Sequence, residues 1–503
     1  MKKTFCALVF ALCIVHTSFG KLPNIIILYA DDMGYGDLAI ENPKSKIPTP
    51  NLDQLAREGL IFTDGHSSSG ICTPSRYSLL TGRYHWRDFH DIVHSMGPSV
   101  FKDGVLTMPE MLRKQGYTTA CIGKWHLGWD WDAIRKQGND PKSLEHDAFD
   151  WSKAIPDGPL AHGFDYYFGD SVINFPPYTW IQDDKVLKAP DMTLDPKEIT
   201  AKTKEGSWEV RSGPAVSDWD FYQVLPTMAE HGVSYIESRK DSDKPFFLYF
   251  SFPSPHAPII PNDEFDGKSE AGAYGDFVYQ TDYICGQLMD ALERVGLADN
   301  TLVVFTADNG PEHYAYIRNR DFSHWSSAPF RGLKRDIYEG GHHVPFIIRW
   351  PDVIEANRKT NALVSQIDLM ATFAAITDYD LPHGAAVDSH NLLPLLEKSG
   401  RSSQVRKSHV HNTYKKRYAL RHGDWVLIDG TNGYHTGVRA DWEKLHDYEA
   451  DDDQPVELYN LKEDIGQKSN LAKSEPQRVE EMQDLLQEIR EKGYSAPRLI
   501  ESE

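Results

Sequence analysis

The chain has 503 residues, and its 53 lysines and arginines are outnumbered by 74 aspartates and glutamates, which leaves a formal net charge of −21. This acidic balance argues against nucleic acid as a partner, because phosphate backbones are bound by basic surfaces. The length exceeds what one simple core accommodates and predicts two domains, one of them large.

The first twenty residues have the pattern of a secretory signal peptide. Lys2 and Lys3 precede an apolar run over residues 5–15, and small residues close the segment. The run is short for a bilayer span, and no later stretch has the length of a membrane helix. We therefore expect a signal peptide over 1–20, export to the periplasm or outside the cell, and no transmembrane segment after the signal. An uncleaved anchor is the alternative, whereas Cys13 lacks the small residues that precede a lipidated cysteine.

Two continuous apolar runs end in polar side chains. The first precedes Asp31 and Asp32 near the start of the mature chain, and the second precedes Asp308 and Asn309. Such runs predict strands buried on both faces of a parallel sheet, and ligands bind at the carboxyl edge of such sheets. An all-oxygen donor set favours a hard cation such as calcium or magnesium. For either pair alone, capping of a turn is the simpler interpretation.

Residues 71–82 have the pattern of a helix that begins beside a cysteine. Thr73 is the predicted N-cap, Pro74 suits the first helical position, and Gly82 can end the helix in a left-handed conformation. Cys72 is then expected just ahead of the free N–H groups, where Arg76 can reach the same point and complete an anion site. On this local pattern alone, an ordinary buried cysteine before a capped helix is the preferred interpretation.

Two polar loops follow further predicted strands. Lys124 and His126 are two residues apart, so they point to the same side if their loop is extended. His256 lies in a proline-rich loop that presents it in a fixed position. Taken alone, His126 would be a hydrogen-bonded packing residue. The adjacent pair His342 and His343, without cysteine or carboxylate at ligand spacing, is weak evidence for a transition metal.

The composition changes past about residue 385. Residues 418–421 and 425–428 predict antiparallel strands around a turn, and apolar residues at helical spacing over 479–489 predict a final packing helix. We expect a large domain over 21–398 and a smaller one over 399–503. Whether Cys121 and Cys285 form a disulfide is open from the sequence.

The segment Cys72-Thr73-Pro74-Ser75-Arg76, with Leu79-Leu80-Thr81-Gly82-Arg83, resembles the signature of the type I, formylglycine-dependent sulfatases. The segment Gly123-Lys124-Trp125-His126-Leu127-Gly128 resembles the second signature of that family. The resemblance implies an α/β fold of the alkaline-phosphatase-like superfamily. In that fold a large, mostly parallel sheet lies between helices, and a smaller C-terminal α+β domain carries an antiparallel sheet. It also implies that a formylglycine-generating enzyme converts Cys72 to formylglycine (3-oxoalanine), whose hydrated aldehyde is the nucleophile.

The resemblance also implies roles for the other residues. His256 would protonate the leaving alcohol, and His126 would take a proton from the second hydroxyl of the hydrated aldehyde. One calcium ion would be held by Asp31, Asp32, Asp308, Asn309 and modified Cys72. The sulfate oxygens would be bound by Arg76, Lys124 and Lys334. This sequence departs from the family at two positions near the sulfate-binding residue Lys334. Arg335 stands where the family usually has glycine, and His343 stands where arginine is common.

The function implied by the resemblance is that of a secreted sulfuric ester hydrolase. Arginine, histidine and tryptophan are concentrated at residues 84–87 and 318–335, which favours a sulfated polysaccharide or oligosaccharide as substrate. One alternative is a phosphonate or phosphate monoester hydrolase on the same fold. Another is a catalytically silent polysaccharide-binding protein in which Cys72 stays unmodified.

Overall fold

The computed structural model describes residues 21–199, 202–398, 404–414, 417–435, 440–446, 448 and 454–500. The predicted signal peptide and part of the predicted linker near residue 400 lie outside them. The described strands are β1 (Asn24–Asp31), β2 (Leu60–Phe62), β3 (Gly65–His66), β4 (Thr118–Gly123), β5 (Tyr166–Gly169), β6 (Ile181–Gln182), β7 (Lys185–Val186), β8 (Met192–Leu194), β9 (Gly213–Ala215), β10 (Phe246–Pro255), β11 (Thr301–Ala307), β12 (Phe346–Arg349), β13 (Arg358–Thr360), β14 (Val364–Ser365), β15 (Ser408–Asn412), β16 (Tyr418–His422), β17 (Trp425–Asp429) and β18 (Glu457–Asn460).

The helices are α1 (Pro50–Arg57), α2 (Cys72–Thr81), α3 (Met108–Lys114), α4 (Val224–Glu237), α5 (Gly272–Arg294), α6 (Ala315–Phe322), α7 (Glu339–His342), α8 (Asp368–Ile376), α9 (Leu393–Leu396), α10 (Ala440–Leu445), α11 (Pro476–Lys492) and α12 (Pro497–Ile500). Within the described ranges, none of these helices combines the length and apolar character that crossing a bilayer requires.

A ten-stranded sheet forms the centre of the fold, in the order β13-β2-β12-β11-β1-β10-β4-β5-β6-β7. Its five middle strands, from β11 to β5, are parallel to one another, while β12 pairs antiparallel to β11. The apolar runs of β1 and β11 are completely buried, as their sequences predict. The predicted fold class, a large and mostly parallel sheet between helices, is therefore confirmed.

The two faces of this sheet pack into two separate cores. Ile25 and Ile27 of β1 point into a core that includes Leu79 of α2, while Ile26 and Leu28 point into the core covered by α1, α4 and α5. The alternation follows from the two-residue period of a strand. Helices on both faces explain why β1 reads as one continuous apolar run.

Four neighbouring parallel strands end at the same edge of the sheet. At this edge β1 leads to Asp32, β11 to Asp308, β10 to His256 and β4 to Lys124. Strands β1, β10 and β4 are held in one register, since Ser251 of β10 lies opposite both Tyr29 and Gly123. The sheet therefore collects at one edge polar residues that are far apart in sequence.

The C-terminal part contains a four-stranded antiparallel sheet in the order β15-β16-β17-β18. The predicted hairpin is present as β16 and β17, and the predicted final helix is α11. Leu420 and Leu427 of the hairpin share a core with Met482 of α11 and with Trp86 of the N-terminal part. The predicted smaller α+β unit is thus confirmed in architecture, while the boundary near residue 399 stays a prediction.

The start of α2 differs from the prediction. The helix begins at Cys72 with Ile71 as the N-cap residue, so the cysteine is the first helical residue and does not precede the helix. Thr73 does not cap, because its hydroxyl donates to the carbonyl oxygen of His126 at 2.9 Å. This tertiary contact ties the helix start to the loop after β4. The end is as predicted, with Gly82 left-handed at a φ of 64°.

Candidate active site

All ten predicted site residues are buried at the carboxyl edge of the sheet. The Cys72 sulfur and one ligand atom each from Asp31, Asp32 and His256 all lie within 4.8 Å of one another. Cys72 is presented there by the first turn of α2, whose free N–H groups favour negative charge. The structure therefore brings the predicted nucleophile position next to predicted metal ligands and the predicted acid.

Two oxygen atoms in this cluster fit a hard cation. Asn309 donates through Nδ2 to Asp32 Oδ1 at 2.6 Å, and its own Oδ1 is buried without a hydrogen-bond partner among the described residues. Asp31 Oδ1 is in the same situation. Buried polar atoms in native proteins are nearly always paired, so these oxygens are candidates for an ion. Their oxygen chemistry matches calcium better than a softer metal.

Each predicted sulfate-binding cation is paired with a predicted metal ligand. Lys124 Nζ lies 2.5 Å from Asp31 Oδ2, and Lys334 Nζ lies 2.8 Å from Asp32. Arg76 donates to Asp308 Oδ2 from Nε at 3.0 Å and from Nη2 at 2.7 Å. The cations are therefore held in the buried site by the same carboxylates that would bind the ion.

The electrostatics of the carboxylates reflect this pairing. Burial alone would raise the pKa of Asp31, but Lys124, His256 and Arg76 hold that pKa well below its usual range. Burial, together with the negative charge of Asp31, raises the pKa of Asp308 to about 6 and that of Asp32 well above its usual value. Part of the carboxylate charge in this cluster is thus unfavourable without a further cation.

Glu312 is a site residue that the sequence analysis missed. It is buried, and its carboxylate lies 2.9 Å from Lys334 Nζ and 2.7 Å from Arg335 Nη1. It follows the Asp308-Asn309 pair by only three residues, and this closeness in sequence was the one signal that could have indicated its place in the site. The unusual Arg335 has a left-handed φ of 75°, which explains why glycine suits this position. Unlike glycine, Arg335 has a side chain whose guanidinium can form an ion pair with Glu312.

Hydrogen bonds determine which ring nitrogen each of the two predicted catalytic histidines leaves available. His256 donates from Nδ1 to the carbonyl of Ala257 at 2.5 Å, which leaves Nε2 facing Asp32 Oδ2 at 3.6 Å. His126 donates from Nε2 to the carbonyl of Val93 at 2.9 Å, and its buried Nδ1 has no partner among the described residues. Burial lowers both pKa values, that of His256 to about 3.

The loop that carries Lys124 and His126 is not extended, so the alternation that would point both side chains to the same side does not apply. His126 has a left-handed φ of 54°, and Gly123 has a φ of 109°. A Cβ atom on Gly123 would lie only 1.9 Å from the carbonyl oxygen of Ser251, so this position needs glycine. The tight approach of β4 to β10 sets the direction in which the loop leaves the sheet.

Unmodified Cys72 is a poor nucleophile in this environment. Burial raises the pKa of its thiol to about 11, even though Lys124 and Lys334 act in the opposite direction. A thiol in that state is almost entirely protonated at neutral pH, and only the thiolate is strongly nucleophilic. Cys121 and Cys285 are also buried, and both are free.

The aromatic and basic segments predicted to contact sugar are largely engaged within the protein. Trp86 stacks on Tyr84 with ring centroids 5.0 Å apart, and Arg87 forms two hydrogen bonds of 2.7 Å with Asp388. Arg318 lies over the ring of Tyr274. These side chains are therefore engaged in contacts within the protein, and the predicted contact of the two segments with sugar stays a prediction.

Comparisons with known proteins agree with this geometry. The Sulfatase family model matches residues 23–379, and the model of the N-sulphoglucosamine sulphohydrolase C-terminal region matches residues 332–493. The chain belongs to the sulfatase family, whose type I members form part of the alkaline phosphatase superfamily. It is accordingly an enzyme that hydrolyses sulfate esters.

Individual relatives cover most of the chain. An N-acetylgalactosamine-6-O-sulfatase of Bacteroides thetaiotaomicron is 31% identical, over 93% of this chain and 93% of its own length. The human N-acetylgalactosamine-6-sulfatase is 32% identical, over 74% of this chain and 66% of its own. A solved protein described under the metabolism of multiple glycosaminoglycans by Bacteroides thetaiotaomicron superposes with a TM-score of 0.77 at 30% identity. That match covers 93% of this chain and 99% of the solved one.

Proposed function

We propose that this enzyme removes sulfate from a sulfated carbohydrate, with 6-sulfated N-acetylgalactosamine as the first residue to test. The observation that carries the proposal is the convergence of Cys72 with Asp31, Asp32 and His256 within 4.8 Å at the carboxyl edge of the sheet. Two relatives that act on a 6-sulfated amino sugar, by their names, support the choice of substrate. Export and maturation of Cys72 by a formylglycine-generating enzyme belong to the same proposal.

The donor set fits one calcium ion, held by Asp31, Asp32, Asp308 and Asn309 together with modified residue 72. When bound, the ion would offset carboxylate repulsion and polarise the sulfate oxygens. The formylglycine diol at position 72 would supply the hydroxyl that attacks sulfur, a role for which the protonated thiol is unsuited.

The cationic side chains of the site pair with its carboxylates, and they would also bind the sulfate group of the substrate. The site contains as many cationic as carboxylate groups, so a divalent ion would give it a net positive charge that suits a sulfate ester. The carboxylates are Asp31, Asp32, Asp308 and Glu312, and the cations are Arg76, Lys124, Lys334 and Arg335. Lysines released from their carboxylates can donate to the sulfate oxygens as charge develops.

The histidines handle the protons. His126 keeps the lone pair of Nδ1 available, since Nε2–H is bound to Val93, so it can accept a proton near residue 72. His256 must take up a proton at Nε2 before it can give one to the leaving alcohol. Negative charge on a bound substrate would raise its pKa from about 3 and favour that protonated form.

Three measurements test the proposal. Mass spectrometry of the peptide containing residue 72 should show loss of sulfur and gain of oxygen. Purified enzyme should release sulfate from oligosaccharides with 6-sulfated N-acetylgalactosamine faster than from 4-sulfated counterparts, and Cys72→Ala should abolish release. Matched sulfate and phosphate esters separate the sulfatase from the phosphatase alternative. Unmodified Cys72 with carbohydrate binding but no turnover would instead support the silent binding protein.

A further inference from the structure

A second cluster of metal-ligand side chains lies outside the active site. His66 at the end of β3, His342 at the end of α7 and His411 in β15 are each completely buried. One ring nitrogen from each lies within 4.8 Å of the others. The three residues come from elements that are distant in sequence, and the third belongs to the C-terminal sheet. The proposed sulfatase reaction does not use this cluster.

The hydrogen bonds around two of these rings define which nitrogen is free. His66 Nε2 lies 2.7 Å from Asp64 Oδ1, and His342 Nε2 lies 3.0 Å from the carbonyl oxygen of Ile337. Both partners only accept hydrogen bonds, so both Nε2 atoms carry the proton. The two Nδ1 atoms therefore bear lone pairs, and they face each other at 3.3 Å. Two buried acceptors at this distance need a positive species between them.

His411 supplies a third unpaired donor at the same place. Its ring stacks on that of His342, with centroids 3.5 Å and planes 15° apart, so it must rotate before a nitrogen lone pair can point at an ion in the plane of the His342 ring. Neither of its ring nitrogens has a hydrogen-bond partner within the part of the chain that the structure describes. Burying two unpaired ring nitrogens is unfavourable in a finished fold, which indicates that a ligand completes this cluster.

We propose that His66, His342 and His411 bind one divalent transition metal ion, with zinc as the best fit. Zinc–nitrogen bonds of about 2.0–2.1 Å in tetrahedral geometry place two ligand atoms about 3.3–3.4 Å apart, which matches the distance between the two Nδ1 atoms. Asp64 then orients His66 as the carboxylate partner typical of metal-bound imidazoles. Three neutral imidazoles leave the fourth position of a tetrahedral site for water.

A proton shared between His66 and His342 is the competing explanation, but it would leave both ring nitrogens of His411 without a partner among the described residues. Arg421 adds positive charge beside the cluster, 3.1 Å from Asp64 and 3.9 Å from Glu339, and His343 and His409 add further rings. Asp64 and Glu339 carry two negative charges beside the cluster, equal in size to the charge of one divalent ion, and Arg421 contributes one further positive charge.

The ion would have a structural role next to the catalytic wall. It would join β15 of the C-terminal sheet to β3 and α7 of the catalytic part. Ile337, which anchors His342, is three residues from Lys334, and Arg335 donates its backbone N–H to Gly70 beside the nucleophile segment. Loss of the ion would therefore loosen the contact between the two parts of the chain.

The test uses full-length enzyme stripped by a chelator and then supplied with zinc or cobalt(II) alone. Wild type should retain about one zinc per chain by elemental analysis, and cobalt should give the visible absorption of a tetrahedral nitrogen site. His342→Gln and His411→Gln should lose both signals. Asp64→Asn should weaken zinc binding about 10–100-fold.

Two controls make the result specific. Asp308→Asn, in the active site, should leave the cobalt spectrum unchanged, and so should His85→Gln, which alters a buried histidine paired with Asn412 outside the cluster. If the histidine variants fail to fold, X-ray absorption of zinc-loaded wild type must show about three imidazole ligands. Folded wild type that binds no zinc, or a cobalt spectrum unchanged in His411→Gln, would overturn the proposal and leave the shared proton as the explanation.

Discussion

Arg76 offers the sharpest test of the site, because Arg76→Lys keeps the charge and removes the planar fork. In the structure the guanidinium makes two hydrogen bonds to Asp308 Oδ2, at 3.0 and 2.7 Å, and a third contact to the Ser251 hydroxyl. A lysine ammonium can retain one of them. Two buried charge-assisted hydrogen bonds contribute about 1.5–3 kcal/mol each, so Arg76→Lys should lower the free energy of unfolding by about 3–5 kcal/mol.

The loss of activity should exceed what destabilisation explains. Removing one preorganised donor to a developing anion typically costs about 100–1,000-fold in rate, and we expect a loss in kcat/KM of at least that size on an activated aryl sulfate. Arg406→Lys is the matched control, since Arg406 forms a comparable buried fork with Asp368 away from the site. Chemical denaturation and sulfate release would be measured on both variants.

One result of comparing Arg76→Lys with Arg406→Lys would contradict the assignment of Arg76 to sulfate binding. If both variants lose similar stability and both keep activity within about threefold of wild type, then Arg76 only supports the fold. The assignment of Arg76 to sulfate binding would then be wrong, although the pairing with Asp308 would remain.

Three further predictions concern the acid, the metal and pH. His256→Gln should slow release from a sugar sulfate more than from an activated aryl sulfate, because only the sugar alcohol needs a proton to leave; equal losses would mean that His256 merely positions the substrate. Chelation should abolish sulfate release, and added calcium should restore it in wild type but not in Asp308→Ala; full activity of metal-stripped Asp308→Ala would contradict the calcium site. Burial lowers the pKa of His85 to about 3, so below about pH 6.5 only the unfolded chain gains this proton, and stability should fall by up to about 1.4 kcal/mol per pH unit down to about pH 3. Denaturation of His85→Gln between about pH 7 and 4, which lies mostly between the unfolded pKa of about 6.5 and the folded pKa of about 3, should show a shallower decline, and an unchanged slope would refute this origin.

The sequence by itself determined the strands, the family and most of the candidate site. The uninterrupted apolar runs of β1 and β11 predict strands covered on both faces, and a parallel sheet places their polar ends at one edge. These runs therefore assign Asp31 and Asp308 to one edge of the sheet, and the resemblance to the second sulfatase signature adds Lys124 to the same site. Local spacing suffices here because strand direction and burial are both encoded by neighbouring residues.

Other features were decided by tertiary structure. Thr73 is a good N-cap by type, yet its hydroxyl donates to the carbonyl oxygen of His126, and the helix begins two residues earlier than its pattern predicts. Glu312 looks like an ordinary loop carboxylate until the fold buries it between Lys334 and Arg335. Propensity is a weak preference that a single buried contact can override.

The histidine cluster is the clearest case of information held only in three dimensions. His342 and His343 are adjacent in sequence and carry no ligand spacing, whereas the partners of His342 lie 276 and 69 positions away, at His66 and His411. A metal site depends on which side chains converge within a few ångströms, and the chain path between them leaves no local pattern. Only the packing of β15 against β3 and α7 brings these rings together, because burial of apolar surface determines that packing.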